Sequence, residues 1–152
     1  MTIFSALDNW DLFLYITPED LEVLGNPTSL FMGYNDGWDC FYLVSAADAG
    51  TANITLDTDF YQKHQGIPFH IKPGFADTLN SLGLEFGKEY LIPTSIMPLV
   101  CGDKEVISVE YHLCDALDYK PQQGYDPRPE LIPDVFQNEE DEMLCYYRRN
   151  AL

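Results

Sequence analysis

The sequence predicts an α+β fold, in which a mostly antiparallel sheet of about five or six strands packs with three or four short helices. Three observations support this prediction: strand patterns dominate the middle of the chain, the helical patterns are short, and no regular β-α-β alternation runs through the sequence. A chain of 152 residues is expected to form one globular domain over residues 1–152. A core of that size needs neither a disulfide nor a metal ion for stability.

Three segments carry helical patterns. The first follows Thr17, a good N-cap residue, and ends near Gly25, with a proline in the first helical position and acids in the first turn. The second is a short helix capped by Asp57 or Thr58. The third covers residues 75–84, where apolar residues recur on one helical face.

The strand patterns include one clear hairpin. Residues 35–37, Asn-Asp-Gly, supply the positive φ angles of a tight turn and predict pairing between residues 29–34 and 38–45. The second arm is apolar on both faces and is expected to be a central strand. Shorter strands are predicted at residues 53–56, 67–71, 90–92 and 96–100, and prolines place the last two at an edge or interrupt them.

The clearest alternation of apolar and polar residues lies between residues 106 and 113. One set is expected to face the core and consists of Ile107, Val109, Tyr111 and Leu113. The other set is expected to face solvent or a partner and consists of Val106, Ser108, Glu110 and His112.

The composition changes after this strand. Residues 115–133 are rich in proline and lack a periodic pattern, which is typical of a long loop that is functional or mobile. Residues 134–152 are predicted to form a C-terminal helix, with a strand as the competing interpretation.

Charge limits the choice of partners. The chain has 25 acidic and 8 basic residues, a formal net charge of −17, and 14% of its residues are aromatic. Disordered acidic segments are poor in aromatic residues, so we expect a folded core beneath an acidic surface. Such a surface repels nucleic acids and anionic membranes, and neither is expected as a partner; it attracts basic proteins and cations.

The cysteines and the N-terminus indicate a cytoplasmic location. Residues 1–16 contain no lysine or arginine and do not resemble a signal peptide. The cysteines are scattered at Cys40, Cys101, Cys114 and Cys145. Their even number allows two disulfides, but we expect free thiols in a reducing compartment.

The densest charged cluster consists of Glu139, Glu140, Asp141 and Glu142. These acids have a structural interpretation, because negative charge stabilises the first turn of a helix. However, none of them has a basic residue three or four positions further on. The four carboxylates are therefore candidates for contact with lysines and arginines of another protein.

Two further sites combine acids with aromatic side chains. Asp118, Tyr119, Tyr125 and Asp126 lie in the predicted loop, and tyrosine is enriched at protein interfaces. A surface loop anchored by its tyrosines is an equally good interpretation. Trp38, beside the hairpin turn, is the third interface candidate; the alternative is that its ring packs against the sheet.

No motif predicts a catalytic residue, a metal site or a cofactor. The chain lacks the G-x-S-x-G, G-x-x-x-x-G-K and G-x-G-x-x-G patterns. His112 and Cys114 have the spacing of two metal ligands on one strand, and Cys101 could approach them across a turn. No second close pair completes a tetrahedral site, since C-x-x-C and H-x-x-x-H are absent.

The sequence therefore favours an acidic protein-binding module without enzymatic activity. We expect a bacterial immunity or inhibitor protein that neutralises a basic toxin, such as a nuclease, by occluding its active surface. One alternative is a small enzyme or ligand-binding domain with a site around His70, Glu110 and His112. A second alternative is a structural or adaptor subunit whose acidity only provides solubility.

Overall fold

The computed structural model describes residues 2–8, 11–35, 37–71, 73–101 and 103–119. In chain order, the strands within these ranges are β1 (Thr2–Asp8), β2 (Asp11–Tyr15), β3 (Ser29–Asn35), β4 (Cys40–Ser45), β5 (Ile54–Thr55), β6 (Gly66–His70), β7 (Lys88–Ile92), β8 (Thr94–Cys101), β9 (Lys104–His112) and β10 (Leu117–Tyr119). The helices are α1 (Pro18–Val23), α2 (Ala46–Ala49), α3 (Thr58–His64) and α4 (Pro73–Ser81). The predicted α+β class is confirmed.

The strands form two antiparallel sheets of five strands each, where the sequence predicted a single sheet. Sheet A has the order β10-β7-β1-β2-β6, and sheet B has the order β5-β3-β4-β9-β8. The strand pairs of both sheets are antiparallel. β1 and β2 lie in the first sixteen residues, where no strand is predicted. They pair with each other and join β7 to β6, which makes sheet A separate from sheet B.

One hydrophobic core lies between the two sheets. It contains buried side chains of β2, β6 and β7 from sheet A and of β3, β4 and β9 from sheet B. The rings of Phe41 in sheet B and Phe69 in sheet A meet edge to face, with centroids 5.5 Å apart. Phe75 brings α4 onto the same core, since its ring lies 4.8 Å from that of Tyr34.

The local signals at the helix ends are confirmed. The Thr17 hydroxyl accepts a hydrogen bond from Asp20 N at 3.1 Å and caps α1, and Gly25 follows the helix with φ +87°. Asp57 caps α3 by accepting from Phe60 N at 2.9 Å. Gln65 follows that helix as its C-cap residue, and its left-handed backbone closes the last turn.

The predicted hairpin is also confirmed, as β3 paired with β4. β4 is buried along its whole length and is the middle strand of sheet B, as its apolar character on both faces indicated. β10 occupies the beginning of the segment predicted as a loop and pairs with β7. Residues 120–152, which include the rest of that segment and the predicted C-terminal helix, lie outside the described residues.

The cysteines differ from one another. Cys40 and Cys114 carry free thiols, as expected. Cys101 is disulfide-bonded, so the expectation of a free thiol is wrong there. Scattered cysteines give no sequence signal for such a pairing, because connectivity depends on the folded chain. Separately, none of the described helices has the length and apolar character needed to cross a membrane.

Candidate functional site

The face of sheet B that points away from the shared core is also largely buried. Phe41 and Leu43 of β4 enter the shared core, whereas Tyr42 and Val44 belong to a second apolar cluster, as alternation along a strand requires. The same cluster includes Val106, and Ser108 is fully buried. The sequence placed this face towards solvent or a partner, and for Val106 and Ser108 that expectation is wrong.

Polar side chains gather at one end of this outer face. Cys40 pairs with His112 across β4 and β9, and Glu110 pairs with Tyr42 on one side and with Ser95 of β8 on the other. Directly opposed residues in an antiparallel sheet project from the same face. Cys40, Ser95, Glu110 and His112 therefore lie together, at the end of sheet B next to the β3–β4 turn.

Three of these side chains converge closely. The Cys40 sulfur, a Glu110 carboxylate oxygen and a His112 ring nitrogen lie within 4.8 Å of one another. Glu110 Oε2 is 3.6 Å from His112 Nε2, and Ser95 Oγ is 2.8 Å from the same nitrogen. Cys40 is fully buried, while the His112 and Glu110 side chains are 23% and 17% exposed. One edge of the cluster therefore reaches solvent.

The Cys40 thiol is held in its neutral form. Burial is the main cause that raises the pKa of this thiol far above its ordinary value, and the negative charge of Glu110 adds to the effect. The thiol also hydrogen-bonds the Glu110 carboxylate. Nucleophilic cysteines need the opposite environment, which favours the thiolate. Cys40 by itself is therefore not an activated nucleophile.

The arrangement around His112 also differs from that of a hydrolytic triad. In a triad one ring nitrogen contacts the nucleophile, and the other nitrogen donates to the carboxylate. Here Ser95 Oγ and Glu110 Oε2 both approach Nε2. The carboxylate thus does not orient the ring for proton transfer from Ser95. What the group does offer is a sulfur, a nitrogen and an oxygen donor at one point, which is a set of metal ligands.

The alternative site proposed around His70, Glu110 and His112 is brought together only in part. Glu110 and His112 are neighbours on the outer face of sheet B, but His70 lies in β6 of sheet A. Its neighbour Phe69 enters the core, so His70 projects from the opposite outer face. Cys40 occupies the third position instead. No sequence pattern indicates Cys40 as a neighbour of Glu110 and His112, because the pairing of β4 with β9 joins distant parts of the chain.

Trp38 is the interface candidate that the structure describes in full. Its side chain is 71% exposed, so the alternative in which it packs against the sheet is wrong. Asp39 follows it, with φ +49°, and accepts a hydrogen bond from the Tyr34 hydroxyl at 2.9 Å. Leu113 N donates to Asp39 O at 2.9 Å, which places the residues after β9 beside this turn.

Asp115 is exposed and follows directly after Leu113 and Cys114, both of which contact this turn. We call the region formed by Trp38, Asp39 and Asp115 the Trp38 surface. Basic residues are scarce elsewhere in the described ranges, which contain three lysines and no arginine. Two of these lysines are paired: Lys88 with Glu85 at 2.7 Å and Lys104 with Asp48 at 3.2 Å.

The side chains of the other predicted contact residues lie outside the described residues. The backbone of Asp118 and Tyr119 belongs to β10, opposite Tyr90 and Glu89 of β7, and their side chains lie outside what is described. The remaining predicted contacts lie wholly outside the described residues and are Tyr125, Asp126, Glu139, Glu140, Asp141 and Glu142. Comparisons with protein-family models, with curated proteins and with solved structures find no match to this chain.

Proposed function

We propose that this protein is an acidic binding module that inhibits a basic protein by covering its active surface. The partner that fits this chemistry best is a bacterial toxin domain such as a nuclease, whose lysines and arginines contact phosphates of its substrate. Carboxylates of the module would take the place of those phosphates. The observation that carries the proposal is the exposure of Trp38, at 71%, in a chain with a formal net charge of −17.

A tryptophan in this position is costly unless it is covered. Its large apolar ring is in water, and a partner that covered it would remove this apolar area from solvent, which is favourable by about 25 cal/mol per Å². Tryptophan is also among the residues most enriched in the small set that dominates binding energy at interfaces. Trp38 therefore suits the role of an anchor that becomes desolvated when the partner binds.

The surrounding charge suits the role of steering. The Trp38 surface has two carboxylates, and the lysines that pair with acids lie elsewhere: Lys104 is at the start of β9, whereas Leu113 and Asp115 follow its end. A surface with unneutralised negative charge accelerates the approach of a basic partner. This attraction weakens with salt, over a Debye length of about 8 Å at physiological ionic strength.

The first experiment identifies the partner and its charge. The full chain is immobilised and incubated with lysate of the source cell at low and at high salt, and bound proteins are identified by mass spectrometry. The captured protein is then purified, and its association rate and enzymatic activity are measured with the wild-type chain. We expect a basic protein that loses its activity in the complex. Capture of acidic or neutral proteins alone, or an association rate independent of salt, would contradict the proposal.

The second experiment tests the surface. Trp38→Ala should weaken binding by roughly thirtyfold or more, mainly through faster dissociation, because hot-spot truncations cost about 2 kcal/mol or more. Asp115→Lys should slow association and reduce its salt dependence. Asp103→Lys is the matched control, since it changes the net charge equally but lies about 30 Å away at the other end of β9. Equal effects of the two charge reversals would exclude the Trp38 surface as the contact.

A separate variant tests whether the acidic run near the C-terminus contacts the partner, as the sequence predicts. Reversal of Glu139, Glu140, Asp141 and Glu142 to lysine should slow association with the same partner and flatten its salt dependence. An unchanged rate and an unchanged salt slope would remove this run from the contact surface while leaving the test of Trp38 intact.

A further inference from the structure

The polar cluster on the outer face of sheet B has the spacing of a metal site that needs only small adjustment. Donor atoms bound to one Zn²⁺ at about 2.0–2.3 Å in tetrahedral geometry lie roughly 3.5 Å apart. The Cys40 sulfur, the Glu110 carboxylate oxygen and the His112 ring nitrogen lie within 4.8 Å of one another. Movements of about 1 Å, within the reach of side-chain rotations, would bring them to coordinating distances.

The backbone that carries these residues is already in place. β4 and β9 are adjacent inner strands of sheet B, and Cys40 stands directly opposite His112. Glu110 lies two residues before His112 and so projects from the same face. Sites built on paired strands hold their ligands more exactly than sites built on loops. Binding would therefore require little ordering of the chain.

The donor set selects the type of metal. A thiolate and an imidazole favour Zn²⁺ over Mg²⁺ and Ca²⁺, which prefer ligand sets made of oxygen atoms. We infer that Cys40, Glu110 and His112 bind one Zn²⁺ ion. The thiol proton of Cys40 is released to solvent when the sulfur coordinates the metal, as for any cysteine ligand.

The fourth coordination position is assigned to water. Cys114 does not belong to the converging group, and its exposed sulfur lies 3.9 Å from the carbonyl oxygen of Trp38. His112 is 23% exposed, which leaves a path from solvent to the cluster. The Ser95 hydroxyl, now 2.8 Å from His112 Nε2, is close enough to act as a hydrogen-bond partner in the outer shell.

The position of the site gives the ion a structural role that does not depend on the proposed function. Cys40 is two residues after Trp38, and His112 is at the end of β9, beside the residues that contact the turn. A bound ion would join the start of β4 to the end of β9 and hold the turn in place. The inference stands even if the Trp38 surface has no basic partner.

The direct test is a zinc titration of the full chain, purified without a metal-affinity tag and treated with a chelator that is then removed. Isothermal titration calorimetry and native mass spectrometry should show one Zn²⁺ per chain. Zinc should also raise the melting temperature of the wild-type protein, because a ligand that binds only the folded state stabilises it. Failure to bind zinc at one ion per chain would overturn the inference and show that the cluster is a hydrogen-bonded network only.

Variants assign the ligands. Cys40→Ser, Glu110→Gln and His112→Gln should each weaken binding by more than the roughly 10–100-fold that substitutions of outer-shell residues cost. His70→Gln and Cys114→Ser are the matched controls, since they remove a histidine and a cysteine outside the site, and they should leave the affinity nearly unchanged. Equal losses in the controls and in the ligand variants would overturn the assignment.

Cobalt gives a readout that a merely destabilised fold would not imitate. Co²⁺ bound to a thiolate produces a charge-transfer absorption in the near ultraviolet, together with strong visible bands when it has four ligands. We expect both in the wild-type protein and in Cys114→Ser. The charge-transfer band should be absent in Cys40→Ser while circular dichroism shows that this variant is folded. Should Cys40→Ser misfold, Glu110→Gln serves as the test, because the new side chain is nearly isosteric with the old one. Its visible cobalt bands and its zinc affinity are then compared with those of the wild-type protein.

Discussion

The side chain of Asn53 hydrogen-bonds both backbone groups of Met32. Met32 N donates to Asn53 Oδ1 at 2.8 Å, and Asn53 Nδ2 donates to Met32 O at 2.8 Å. The neighbouring edge strand β5 has only two residues, which pair with Ser29 and Leu30 of β3. The amide of Asn53 therefore continues the ladder where the backbone of β5 no longer supplies partners, and it covers the open edge of β3.

Replacement of Asn53 should destabilise the fold. Met32 is fully buried, and in Asn53→Ala its N–H and C=O groups lose both partners. We expect a loss of about 1–3 kcal/mol in the free energy of unfolding, measured by urea denaturation. Asn53→Asp should be at least as harmful, because a carboxylate cannot donate to the Met32 carbonyl. Asn80→Ala, at an exposed position in α4, is the control; a similar small effect for both alanine variants would contradict this account.

The ring of Tyr42 leaves room only for glycine at position 33, which lies directly opposite it across β3 and β4. A Cβ atom at position 33 would overlap that ring, and Tyr42 is only 2% exposed, so the ring has little room to move. Gly33→Ala should cost about 1–3 kcal/mol of stability, as overpacking does. Gly74→Ala meets no atom within 4 Å and should have no such cost.

A double-mutant cycle isolates the overlap. In a Tyr42→Ala background the clash is gone, so Gly33→Ala should cost much less than it does in the wild-type protein. Additive effects of the two substitutions would mean that something other than the ring excludes a side chain at position 33.

Local chemistry made the helices and the hairpin predictable, but it did not reveal how many sheets the strands form. The Thr17 cap and the Asn-Asp-Gly turn act over a few residues, so the sequence displays them directly. β2 is different. Leu12 and Leu14 enter the shared core, whereas Phe13 packs on the opposite face against Tyr15, with ring centroids 4.7 Å apart. A short run that is apolar on both faces does not distinguish a strand from a buried helix.

The candidate metal site was hidden for a related reason. The alternation along β9 places its two proposed ligands, Glu110 and His112, on one strand face. Cys40 joins them only because β4 lies beside β9, and this pairing connects distant parts of the chain. Spacing motifs such as C-x-x-C identify ligands that are close in sequence, and they miss a ligand that strand pairing supplies.

Tyr111 should make stability depend on pH in the alkaline range. Its hydroxyl donates to Asp20 Oδ2 at 3.2 Å, and burial, followed by the charge of Asp20, raises the pKa of this phenol well above its ordinary value. The unfolded chain ionises Tyr111 near pH 10, as for a free tyrosine, while the folded protein keeps it neutral. The stabilisation is therefore complete below about pH 10 and is lost as pH rises towards the folded pKa.

Tyr111→Phe tests this dependence. The variant should lose about 1 kcal/mol at neutral pH with the hydrogen bond, but its stability should then fall less steeply than that of the wild-type protein above about pH 10. Urea unfolding followed by circular dichroism at neutral and alkaline pH measures the difference. Parallel stability curves for the two proteins would show that Tyr111 does not contribute to the alkaline loss.

The two free thiols should differ strongly in their rate of alkylation. Cys114 is exposed, whereas Cys40 is fully buried, so a reagent such as iodoacetamide reaches the first directly and the second only when the chain opens. We expect Cys40 to react at least about tenfold more slowly than Cys114 in the folded protein, and the difference to diminish in denaturant. Peptide mass spectrometry after short exposures measures both rates, and Cys114→Ser removes the fast reaction as a control. Comparable rates in the folded protein would show that the end of β4 opens readily to solvent, and that Cys40 does not belong to a closed cluster with Glu110 and His112.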